Sequence, residues 1–184
     1  MARFTRALSV AAGSRGIDRY AEVVRAVVTT LRAAGTRPFV IPAMGSHGGG
    51  TASGQIEMLA SLGVTAEAVG AEIVSNVKTE EVVRTPLGFK VLTACDALSA
   101  DAVVLVNRVK PHTDFASPTL GSGLLKMTAI GLGKIGGAFE CHQGASRYGY
   151  EAMIREVSRA VIARLPHLLG VALVEDAHHQ IARV

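Results

Sequence analysis

The sequence predicts an α/β fold, Rossmann-like and three-layered, with a mostly parallel sheet. Three observations carry this expectation. Short apolar runs alternate with amphipathic stretches of helical length, the order that builds a parallel sheet covered by helices. Hydrophobic residues reach 49%, yet the chain holds only 5 Phe, 3 Tyr and no Trp, so the core has to be aliphatic. The 20 glycines are clustered between the runs, where they shape loops.

Residues 8–12 (LSVAA) end at Gly13 and read as a buried strand. Over residues 17–34, Tyr20, Val23, Val24, Val27, Val28 and Leu31 recur at spacings of three and four, which predicts a helix closed by Gly35. Residues 38–44 (PFVIPAM) read as a second strand and lead into a glycine-rich loop over 45–50. Thr51 or Ser53 would cap a helix running to Leu62 and closed by Gly63. Residues 64–84 are ambiguous and read as a short helix near Ala66 and a strand near Ile73. Strands follow over 89–94 and over 101–109, where DAVVLVNRV is the strongest buried-strand signal in the chain. Residues 111–150, with eight glycines between Gly121 and Gly149, read as a long loop, which is usually functional or poorly ordered. An amphipathic helix over 151–165, stopped at Pro166, and a strand over 169–174 complete the order. The expected organisation is a single α/β domain over 1–184.

Charge and composition narrow the function classes. Lys plus Arg is 19 and Asp plus Glu is 15, a net charge of +4. The basic residues are scattered and not interleaved with aromatics, so nucleic acid is not the expected partner. The longest uncharged stretch, 38–56, is rich in Gly, Ser and Thr, so no membrane span is expected. Two cysteines, Cys95 and Cys141, build no disulfide framework, which suits a cytoplasmic protein.

In parallel α/β sheets, ligands sit beyond the carboxyl ends of the strands. Three strands run into suggestive segments there: Gly13-Ser14-Arg15-Gly16, Gly45-Ser46-His47-Gly48-Gly49-Gly50, and Lys110-Pro111-His112-Thr113-Asp114. If those strands are neighbours, Arg15, His47 and His112 converge. Glycines beside His47, with a helix N-terminus after them, suit an anionic ligand, though a turn would also explain them. The loop lacks the Lys-Ser/Thr of a P-loop. Two imidazoles, each with an ordinary pKa of about 6.5, suit two-base chemistry in a racemase or epimerase, and also a hydrolase or dehydrogenase. Lys126 stands among apolar neighbours in SGLLKM, either snorkelling or desolvated and nucleophilic. His142 beside Cys141 is a weak metal signal. Lys134 and Arg108 could bind phosphate or carboxylate, though exposure alone would also explain them, and His178 and His179 read as a solvated terminus.

The segments IPAMGSHGGGTASGQ (41–55), VNRVKPHTDF (106–115) and SGLLKMTAIGLGKIGGA (122–138) together resemble the nickel-dependent lactate racemase family, in particular its branch with a GSHGG loop. The resemblance runs from Ala12 to about Ala177. It implies an N-terminal α/β domain of a two-domain architecture with the active site between the domains. It also implies a nickel pincer nucleotide, a pyridinium mononucleotide that holds nickel through its sulfur and carbon atoms. By the same resemblance His47 and His112 are acid/base partners, Lys126 is the covalent tether and His142 is the nickel ligand. Arg15, Gly48 and Gly49 contact substrate or cofactor. The acidic residue that family racemases carry before the arginine has no counterpart, since Ala12 and Gly13 stand there, which points away from lactate itself. An acidic residue expected before the Ser-Gly preceding Lys126 is likewise replaced, by Thr119-Leu120-Gly121.

The leading expectation is a racemase or epimerase of a small 2-hydroxy acid that uses this cofactor. Two others stand beside it: a non-catalytic phosphate- or metal-binding module, and a truncated domain that needs a partner domain or a second copy. The C-terminal domain of the family is expected to be missing, because the chain starts almost on a strand and stops soon after the last one.

Overall fold

The structure, a computed structural model, describes residues 7–111 and 117–184. It is a Rossmann-like α/β domain with a mostly parallel central sheet. Strand β1 (Ala7–Ala12) leads into helix α1 (Tyr20–Ala33), then β2 (Arg37–Pro42), a 3-10 turn (Gly48–Gly50), α2 (Ala52–Ser61) and α3 (Ala66–Val69). A hairpin of β3 (Thr79–Arg84) and β4 (Lys90–Ala94) follows, then α4 (Cys95–Leu98) and β5 (Ala102–Arg108). The chain continues through α5 (Leu124–Lys126), a π-helical turn (Met127–Gly131), α6 (Lys134–Tyr148), α7 (Tyr150–Arg164), β6 (Leu168–Glu175) and β7 (Ile181–Arg183).

The main sheet has the order β2-β1-β5-β6-β7, parallel except for β7. Side chains alternate across it, as the pleat requires. Val10, Ala12, Val40 and Val106 face one core with Tyr20, Val24, Val28 and Leu59. Ala11, Ile41, Val103 and Leu105 face the other, with Leu132, Met153, Ile154 and Val161. β1 and β5 are buried on both faces, so their sequences read as unbroken apolar runs.

Of the two cap candidates for α2, Thr51 takes the role: its hydroxyl accepts from the Gly54 N–H at 3.1 Å. The strand expected near Ile73 shrinks to a single bridge to Val40 on the outer edge of β2. Residues 79–84, rich in charge, pair antiparallel with β4 in a separate two-stranded sheet. Past β6 the chain turns back as β7 and does not trail away.

The long loop expected over 111–150 is corrected by the structure, which makes most of 124–148 helical. The glycines there serve close approach. A Cβ on Gly144 would lie 2.3 Å from Met153 Cε on α7, and one on Gly131 would lie 2.6 Å from the Ala43 carbonyl oxygen. Glycine costs helix stability, about 0.5–1 kcal/mol against alanine, and tight packing offsets that here. Gly131→Ala is therefore expected to destabilise the chain by about 1–3 kcal/mol, the usual range for overpacking. A loop glycine at an ordinary φ would show no loss in the same urea titration.

Candidate functional site

The first βα turns and the end of β5 leave the sheet on the same edge, and a cavity of about 220 Å³ opens there. Each wall comes from a different stretch of chain. Ser14 and Arg15 follow β1; Met44, Ser46 and His47 follow β2; Asn107, Arg108 and Lys110 end β5. Lys126, Met127 and Ile130 form the floor, and His142 projects from α6. The structure thus brings Arg15, His47, Lys126 and His142 to one void. His112 lies outside the described residues.

His47 precedes the 3-10 turn in extended conformation, and Gly48, Gly49 and Gly50 then take φ of 65°, 65° and 67°. Only glycine adopts three such angles in succession without strain. Gly48 backs onto α2, where a Cβ would fall 2.5 Å from the Gly54 carbonyl carbon, while space beside Gly49 is open. Neither glycine lines the cavity. They free the backbone to carry the imidazole there. Ser14 Oγ lies 2.9 Å from His47 Nδ1 and orients the ring. Burial, then the cations Arg15 and Lys126, hold the imidazole below its ordinary pKa, so near neutral pH it is uncharged and able to accept a proton.

His142 Nδ1 lies 2.9 Å from the Tyr150 hydroxyl, with the rings edge-on at 5.6 Å and 81°. That leaves Nε2 for a ligand and fixes the ring, as an outer hydrogen bond does for metal-binding histidines. Among the described residues no group of three His, Cys, Asp or Glu side chains could hold a metal ion. A metal held by His142 would take its other donors from outside the described residues. An imidazole, His142, and an amine, Lys126, line the same cavity, a pair that fits a group bringing metal ligands of its own.

Arg108 donates to Glu175 Oε2, while Glu175 Oε1 accepts from the Asp18 N–H at 2.8 Å and the Ile181 N–H donates to Asp18 Oδ2 at 3.2 Å. β7 is in this way tied to a cavity residue. Burial works to raise the Glu175 carboxyl, but the Arg108 and Asp18 bonds outweigh it and leave it lowered. The lining itself carries Arg15, Arg108, Lys110 and Lys126 and, among the described residues, no Asp or Glu. Such a cavity selects an anion.

The other candidates lie elsewhere. Lys134 is fully buried and does not line the cavity. His178 and His179 sit in the turn between β6 and β7, where Asp176 Oδ1 accepts from the N–H groups of His178 and Gln180. Sequence reasoning missed Ser14 and Tyr150, the partners of the two histidines. Ser14 adjoins Arg15 and was within reach of inference. Tyr150 was not, because Gly149 separates its helix from that of His142.

The sequence profile of a family described as "Domain of unknown function (DUF362)" matches residues 8–182. The chain belongs to the DUF362 family. No curated protein matches its sequence. Among solved structures it is similar to the lactate racemase apoprotein from Thermoanaerobacterium thermosaccharolyticum, with a TM-score of 0.67 and 12% identity. That match covers 98% of this chain and 45% of the racemase. The DUF362 chain thus shares the racemase fold and spans less than half the length of that protein. No described helix is long and apolar enough to cross a membrane.

A carboxyl lowered by folding contributes stability above its unfolded pKa of about 4.5 and loses it as pH falls through the lower folded value. Glu175→Gln should be less stable than the wild type at pH 7 in urea denaturation. The gap should narrow steadily on acidification below about pH 4.5.

Proposed function

We propose that this DUF362 chain is the cofactor-bearing domain of a racemase or epimerase acting on a 2-hydroxy acid with a nickel pincer nucleotide. One observation supports it above the rest. Four basic groups that the motifs single out, Arg15, His47, Lys126 and His142, come from separate chain segments and line one cavity at the carboxyl edge of the sheet.

Lys126 would hold the nucleotide covalently through its amine, and His142 would ligate nickel through Nε2 while Tyr150 steadies Nδ1. When bound, that group supplies the acceptor and donor for the α-hydrogen. Arg15 would pair with the substrate carboxylate, for which a guanidinium fork is suited. His47, uncharged near neutral pH, would accept the hydroxyl proton and return it, with Ser14 fixing which ring nitrogen faces the substrate. His112, outside the described residues, would be the second acid/base. Inversion at one carbon needs a proton acceptor on each side, and an imidazole serves in both directions near pH 7. The chain would act with a second domain or a partner that closes the cavity.

A second reading rests on the basic, carboxylate-free lining: a phosphate-binding module without turnover. The two separate by experiment. The chain is produced together with cofactor-making enzymes, then studied by intact mass, metal analysis and chiral assay on a panel of 2-hydroxy acids. A mass adduct with bound nickel is expected, absent in Lys126→Ala. In His142→Ala the adduct should persist and the nickel fall. An unmodified Lys126 and no nickel would overturn the proposal, and phosphate-dependent thermal stabilisation without turnover would favour the module. Where turnover is seen, His47→Gln should lower it by about 10²–10⁴-fold, the usual worth of a general base.

A further inference from the structure

Lys134 opens α6 with φ of 53°, a left-handed conformation that side chains other than glycine rarely take. It is 0% exposed. Its Nζ donates to the Pro42 carbonyl at 2.7 Å and to Gln55 Oε1 at 3.1 Å. Gln55, also 0% exposed, donates from Nε2 to the Gly45 carbonyl at 2.9 Å and to the His47 carbonyl at 3.4 Å. Two buried side chains thus grip the last residue of β2 and two residues of the loop that carries the imidazole.

Burying a cation is expensive, and an apolar residue of similar volume would fill the space at lower cost. Desolvation pushes the Lys134 ammonium down to about 8, with Asp96 acting the other way. Packing alone therefore does not account for a lysine here. The loop does supply a need. Gly45, Gly48, Gly49 and Gly50 all take positive φ, so the backbone around His47 has little stiffness of its own and depends on outside anchors.

We propose that Lys134, acting through Gln55, is a positioning residue that fixes the Gly45–His47 backbone and thereby holds the His47 imidazole against Ser14 in the cavity it shares with Arg15 and Lys126. Its catalytic meaning rests on the role proposed for His47, but its test does not, because the ring itself is observed.

The His47 ring is followed by nitrogen-15 NMR titration of the full chain, with His47→Gln to assign the signal. Gln55→Met changes no charge, so movement of the midpoint reports geometry. Lys134→Met/Gln55→Met removes the Nζ–Oε1 pair together, so neither side chain is left buried without the other, and the Pro42, Gly45 and His47 carbonyls lose their anchors. In both variants the midpoint should move up, toward the ordinary imidazole value, as the ring loses its burial and leaves the two cations. Leu59→Ala, a core change in the same helix as Gln55, should lower thermal stability and leave the midpoint in place. An unmoved midpoint in the folded double variant would overturn the proposal. In the unaltered chain the Gln55 side-chain amide should exchange slowly with solvent, and rapid exchange would overturn the proposal without any variant.

Discussion

The Gly45 N–H donates to the Gly131 carbonyl at 3.2 Å, and Gly131 has no room for a side chain against the Ala43 oxygen. This backbone seam joins the histidine loop to the π-helical turn. Most of the site follows from it. Lys126 precedes the turn, Met127 and Ile130 within it floor the cavity, and Lys134 just beyond it reaches back under β2. A π turn is rare and costs regular hydrogen bonding, and such turns concentrate at functional sites. Here the widened turn brings backbone against backbone where two side-chain layers would otherwise hold the segments apart.

The cavity's electrostatics follow from which charges were placed in the wall and which behind it. Arginine and lysine stand at the surface of the void, while Glu175 sits behind Arg108, oriented by the Asp18 N–H and linked onward to β7. The guanidinium is steadied without an acid exposed to the ligand. His47 is kept uncharged by burial and by the same cations that would attract an anion. One set of positive side chains thus serves both attraction and proton acceptance, so moving a cation disturbs both.

How far the sequence could be read depended on what each residue type does alone. The apolar runs of β1 and β5 disclosed buried parallel strands, because a strand covered on both faces has no polar alternation to obscure it. The cap of α2 was legible down to two residues, Thr51 or Ser53, because a side-chain oxygen before a helical stretch has few other uses. Residues 124–148 were misread because glycine frequency signals a loop only when the glycines are exposed, and Gly131 and Gly144 face other backbone or side chains. Of the site, His47, Arg15, Lys126 and His142 stood out from their motifs. Their partners did not. Ser14, Gln55 and Tyr150 acquire meaning only from contacts across 33, 8 to 10 and 8 residues, and Lys134, legible only as a possible anion binder, takes its buried role from contacts across 79 to 92, none set by local periodicity.

The parallel sheet also has a second edge, where α1 enters β2 over residues 34–36, α4 enters β5 near Ser99, and α7 enters β6 near Pro166. Those crossings lie a full strand length from the cavity, and Ala34, Gly35 and Ser99 contribute nothing to its wall. Dyes, affinity handles or surface tethers attached along that rim would leave the cavity side untouched, so the domain can be immobilised with its cavity facing outward.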